Sequence, residues 1–160
     1  MKARVSIFLI VVVLAFIIFK LSFFLNDTKY SNFHTISNSD WFLKDTLIFD
    51  FVNENNDINN HRVTLFGKIN QEYSYANLNL FIDLFLENKR IKRDTLNCNL
   101  YDNFGFPLQK NIGNNQFFKL EYLNTFKFEI NKNYKFRITH GMRDLNLIGV
   151  ETIGIKINKN

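Results

Sequence analysis

Apolar and polar residues alternate over long stretches of this chain, most clearly over residues 73–87 (YSYANLNLFIDLFLE). There Leu78, Leu80, Ile82, Leu84 and Leu86 alternate with Asn77, Asn79, Phe81, Asp83 and Phe85. Successive side chains of a strand point to opposite faces, so the five aliphatics share one face. Phe81 and Phe85 make the other face partly apolar, which predicts a central strand in a two-layer β structure. The same period predicts strands over residues 46–52, 61–69, 94–101, 126–130, 134–140 and 152–157. Residues 89–92 read as a turn, 53–60 as a polar turn region, and 131–133 as the turn of the best-defined hairpin. Residues 102–118 contain the only proline, Pro107, with Gly105, Gly113, Asn114 and Asn115. They predict a long ordered surface loop, the kind of element that often carries function in a compact domain.

The N-terminus follows a different pattern. Lys2 and Arg4 precede an apolar run over 5–19, and after Lys20 the chain stays largely apolar to Leu25. Basic residues ahead of an apolar stretch form a secretory signal, but bulky residues stand where a signal peptidase needs small ones. An uncleaved anchor over residues 1–25 is therefore expected. The 21 residues from Val5 to Leu25 reach about 30 Å as a helix, enough to span a bilayer. The leading basic residues place the domain outside the cytoplasm, and Lys20 can snorkel to the interface. The polar residues 26–40 read as a tether. The expected organisation is one N-terminal hydrophobic helix, a tether, and an all-β antiparallel sandwich of seven to eight strands over 41–160.

Composition changes this picture little. Phe, Asn, Ile, Lys and Tyr make up half of the 160 residues, which points to an A/T-rich genome. Three of the 20 basic residues and none of the 15 acidic ones fall in residues 1–25, so the remainder carries only +2. The basic run Lys89, Arg90, Lys92, Arg93 is read as a solvated turn, and nucleic acid is not expected as a partner. The single cysteine, Cys98, forms no internal disulfide and falls on the leucine side of its alternation, as a small buried hydrophobe.

The residues show no catalytic or metal constellation. His34, His61 and His140 have no His or Cys at ligand spacing. Asp83 and Glu87 share a strand face but read as solvated positions rather than an acid–base pair. No cofactor, no metal and no enzymatic activity are expected. Trp41, Tyr73 and Tyr75 could form an aromatic platform for a sugar ring, but tyrosines at a strand start more often pack over the end of a sandwich, and that is the preferred reading. Arg143, in a glycine-rich turn, is expected to clamp the last hairpin through its guanidinium fork, with partner contact as the alternative.

Three blocks resemble the gliding-motility lipoprotein family GldH of Bacteroidetes-type bacteria. The first is Tyr73-Ser74-Tyr75-Ala76-Asn77-Leu78, similar to a Tyr-x-Tyr-x-Asn-Leu pattern at the start of the family's central strand. The second is Asp94-Thr95-Leu96 with the loop through Ile112-Gly113. The third runs from His140 through Met142, Arg143 and Leu145 to Gly149-Val150, then Ile153-Gly154-Ile155. The resemblance implies a membrane-anchored envelope protein in the periplasm that serves gliding motility and the associated type IX secretion machinery as a scaffold. Its partners would be other envelope proteins, and Tyr73, Tyr75, Asn77, Gly113, Met142, Arg143 and Gly149 would be its motif residues. A membrane-tethered glycan-binding module is the alternative. Family members carry a lipobox cysteine, whereas no cysteine precedes Cys98 here. The expected location is therefore the inner membrane, with the intact mass of the extracted protein matching the unprocessed chain; a different start or processing would place it at the outer membrane instead.

Overall fold

The computed structural model describes residues 11–17, 28–54 and 60–160. Residues 11–17 are helical and exposed. No helix among the described residues is long and apolar enough to cross a membrane, and most of the expected anchor, residues 1–25, lies outside them.

The domain is all-β. In chain order its strands are β1 (Thr28–Thr35), β2 (Asp40–Phe42), β3 (Leu47–Val52), β4 (His61–Ile69), β5 (Asn77–Leu86), β6 (Lys89–Asn99), β7 (Asn111–Ile112), β8 (Asn115–Phe126), β9 (Asn133–His140), β10 (Asn146–Ile148) and β11 (Val150–Lys159). Eight of these are six residues or longer, and six of them, β3, β4, β5, β6, β9 and β11, fall where the alternation predicts strands. A five-stranded sheet, β1-β11-β4-β8-β7, packs against a four-stranded sheet, β3-β9-β5-β6, and β2 pairs with β10 in a small ribbon. All pairings are antiparallel.

β5 is an interior strand between β9 and β6. Leu78, Leu80, Ile82 and Leu84 are fully buried, while Phe81 on the opposite face is exposed. They meet Val63, Leu65, Ile153, Ile155 and Ile157 of the five-stranded sheet in one core. Cys98 joins it, buried as expected, and burial pushes its thiol up to about 11.

Five expectations fail. Residues 28–35 are not a free tether: they pair with β11 as an edge strand, whose one-sided exposure gives it a polar composition. The β5–β6 turn is made by Glu87 (φ 53) and Asn88, so Lys89, Arg90 and Lys92 are already paired strand residues. Two residues suffice to reverse antiparallel strands. The loop expected over 102–118 ends early, because Gly113 (φ 58) turns the chain and β8 begins at Asn115. Finally, residues 131–133 do not close a hairpin. β8 pairs with β4 in one sheet, and β9 pairs with β3 and β5 in the other. Residues 127–130, expected as a strand, are the crossover between the sheets, and Phe128 fills the space between them.

Register fixes the two ends of the sandwich. Thr28 faces Asn158, and Lys159 faces His61. At the other end Val150 faces Ile69, which faces Gln116. A strand rises about 3.3 Å per residue, so these ends lie roughly 30 Å apart. Gln116 donates to the carbonyl of Leu100 (2.7 Å), which places the start of β5 and the ends of β6 and β9 at the far end from Thr28.

Candidate functional site at the far end of the sandwich

The residues that the resemblance singles out come from separate strands, yet they gather at the end far from Thr28. Tyr73 enters β5 with its hydroxyl donating to the carbonyl of Asn77 (2.7 Å) and its ring edge-on to Tyr75 at 5.9 Å. Gly149 lies against the Tyr73 backbone. A Cβ at Gly149 would stand 2.4 Å from the Tyr73 nitrogen, and its φ of +92 also requires glycine. The Gly149 N–H donates to Ser39 (2.8 Å) and its carbonyl accepts from Asn70 (2.9 Å), so three chain segments cross at this residue. Asn77 donates across to the side chain of Asn97 (2.8 Å). Met142 is buried, and its sulfur accepts the Asn79 N–H at 3.3 Å, while the Gly141 N–H donates to the Asn79 carbonyl (2.8 Å).

Arg143 does not act as the expected clamp. It is exposed and makes no hydrogen bond or ion pair within the described residues. The tie is made one residue later, where the Tyr75 hydroxyl donates to the Asp144 carboxylate at 2.6 Å. That bond raises the pKa of the Tyr75 hydroxyl, which the Arg143 cation opposes more weakly. Tyr75, Asn77, Asn79, Gly141, Met142 and Arg143 line an open concavity of about 320 Å³.

The aromatic platform does not form. Trp41 is only 1% exposed, donates to the Asp45 carbonyl (3.1 Å) and lies edge-on to His140 at 5.4 Å. Tyr73 is 7% exposed, so of the three rings Tyr75 alone reaches the surface. Trp41 and Tyr73 close the far end from inside.

Beside the concavity, Asp102 organises a loop that alternation alone does not resolve. Its carboxylate accepts from the backbone N–H groups of Phe104 (2.9 Å) and Phe106 (2.8 Å), and its own N–H donates to the Phe106 carbonyl (2.9 Å). Gly105 supplies the turn with φ 84. Gln109 pairs with both backbone groups of Lys119 and covers part of the outer edge of β8. With its backbone tied down, the loop holds Phe104 (87% exposed), Phe106 (68%) and Leu108 (52%) out in solvent. Leu145 and Ile112, at the same end, are also exposed. The signal in sequence is an Asx turn in which apolar residues flank Gly105 and Pro107.

The remaining titratable candidates lie apart. Asp83 is held by Arg93, and Glu87 occupies the β5–β6 turn. His61 and His140 are buried at opposite ends, and His34 bonds the Ile48 carbonyl (2.7 Å). Among the described residues no three of His, Cys, Asp and Glu converge as a metal site would require.

Fold and surface together define an all-β sandwich domain that presents an open, mixed polar and apolar end. The family model described as GldH lipoprotein matches residues 28–157, and the chain belongs to that family. Membership makes it a membrane-anchored envelope protein related to gliding motility. Among solved structures the chain is similar to dimeric latent PorU from Porphyromonas gingivalis, at 13% identity and a TM-score of 0.37. That similarity covers 83% of this chain and 13% of the PorU chain. No curated protein matches.

Proposed function

We propose that this protein is a non-enzymatic scaffold subunit of the gliding-motility apparatus and its associated type IX secretion machinery. Residues 1–25 hold it at the inner membrane, the sandwich lies in the periplasm, and the far end docks other envelope proteins. One observation carries this reading: the motif residues and the exposed apolar loop share the end of the sandwich opposite Thr28. A chain tethered ahead of Thr28 presents that end away from its own attachment point. Exposed apolar groups on a fixed backbone suit the centre of a protein interface, because burying them there costs little ordering entropy.

The test is photo-cross-linking in cells with the full-length protein. A photoreactive residue replaces Phe104 in one strain and Phe33, an exposed residue of β1, in another. Detergent extraction, affinity capture and mass spectrometry follow. The expected result is cross-linking of motility or secretion envelope proteins from position 104 and not from position 33. Equal capture from both positions, or capture of cell-wall fragments alone, overturns the proposal.

A further inference from the structure

The outward face of the four-stranded sheet carries a second surface with different chemistry. Arg137 on β9, Asp83 on β5 and Arg93 on β6 stand opposite one another in a single cross-strand row. Arg93 donates twice to Asp83, at 2.6 and 2.7 Å. Arg90 reaches the same carboxylate at 3.5 Å from beyond the bulge in the β5–β6 ladder. Arg137 is not consumed by this pairing. Its guanidinium lies 5.8 Å from the centre of the Phe85 ring and makes no hydrogen bond or ion pair within the described residues. Three guanidiniums therefore surround one carboxylate, which only Arg93 and Arg90 reach, around a concavity of about 250 Å³ rimmed by the hydroxyl-bearing residues Thr46 and Thr139.

We infer that this face binds a carboxylate-rich segment of a partner protein, with Arg137 and Arg90 as the contacts for its Asp or Glu side chains. The local excess of two positive charges is complementary to such a segment, and a guanidinium fork matches a carboxylate in geometry. Asp83 at the centre disfavours a doubly charged phosphate. Asp50, which pairs with Lys135 on the same face, breaks the continuous cationic track that nucleic acid would need. Exposed Phe81 and Ile48 flank the row, giving the mixture of arginine and apolar contacts typical of protein interfaces. Phe81 also packs beside Gly141 at the far-end concavity, so the two surfaces adjoin.

This inference goes beyond the scaffold reading and fails separately from it. The test uses the full-length protein in detergent with fluorescein-labelled hexaglutamate, and with hexaglutamine as the uncharged comparison. Hexaglutamate should bind in a salt-sensitive way and hexaglutamine should not. Arg137→Gln should weaken binding about tenfold, the usual scale for losing a charge-assisted hydrogen bond. Lys119→Gln removes the same charge from the other sheet and should change binding less than about twofold. Arg90→Gln repeats the test should Arg137→Gln fail to fold. Equal binding of both peptides, equal losses in Arg137→Gln and Lys119→Gln, or preferential binding of inorganic phosphate or polygalacturonate each overturns the inference. The cross-linking result at Phe104 is unaffected by any of these outcomes.

Discussion

The two ends of the sandwich are both rich in aromatic residues and use them in opposite ways. At the Thr28 end, Phe128 sits in the crossover between the sheets and meets Phe51, Phe126, Tyr134 and His61 edge-on, with ring centroids 4.7–5.4 Å apart. The Asn53 side chain donates to the Phe128 carbonyl (3.0 Å), and the Tyr134 hydroxyl accepts the Glu129 N–H (2.9 Å). A chain that crosses between sheets must satisfy its backbone in the interior, and here polar side chains do so around an aromatic plug. At the far end, Asp102 satisfies the loop backbone locally, which leaves Phe104 and Phe106 no structural reason to turn inward. The same residue type is core at one end and exposed surface at the other, because the backbone bonds are made in different places.

The largest effect should come from breaking the plugged end. Phe128→Ala is expected to cost about 3–5 kcal/mol, the scale for emptying a buried aromatic site. Urea unfolding of the full-length protein in detergent measures it, and a loss below about 1 kcal/mol would mean that this end is not sealed by Phe128. At the far end Gly149→Ala should cost about 1–3 kcal/mol, the scale for a strained backbone position. The same unfolding curve should show it, because the new Cβ meets the Tyr73 backbone.

A smaller effect lies in the alkaline range. Cys98 has its thiol raised from 9.0 to about 11 by burial, so the folded state holds this proton more tightly than the unfolded chain. Its contribution is intact below pH 9 and is lost as the pH rises through about 11. Wild type should therefore lose more stability than Cys98→Ala between pH 9 and 11, and equal losses would contradict the buried placement. The smallest effect on stability is expected for Phe104→Ser combined with Phe106→Ser. Both side chains are already in water, so the change should stay within about 0.5 kcal/mol. Cross-linking from a photoreactive residue at Leu145, on the same end, should nevertheless be lost. Retained cross-linking would show that the loop is not the contact.

Much of the fold was legible in the residues. The bounds of β4 and the buried leucine face of β5 follow from alternation alone, as does the burial of Cys98. Edge strands were the weak point. β1 and β6 each lack a neighbour on one side, and β1 has no buried residue and β6 only Cys98, so their compositions imitate a tether and a turn. β8 was partly hidden because Gly113 and Asn114 precede it and Asn115 opens it, and its outward positions Lys119 and Glu121 look like loop residues. The motif residues of the far end were legible by family resemblance. The packing of Tyr73 over the end of the sandwich was the preferred reading of a tyrosine at a strand start, whereas the enclosure of Trp41, the tie through Asp144 rather than Arg143, and the Arg137 side chain without a direct ion pair were not legible.

The sequence by itself determined the strand period, the all-β class, the isolated cysteine and the family. Each is a local or linear property: side chains alternate because the strand is pleated, whatever lies beside it. Only the tertiary structure decided which strands pair, which end each motif reaches and which aromatic rings are enclosed. The turn at Asn131 (φ 56) shows why. Its chemistry is written locally and the chain does turn there, but whether the next strand stays in the same sheet depends on hydrogen-bond partners and core faces far away in the chain.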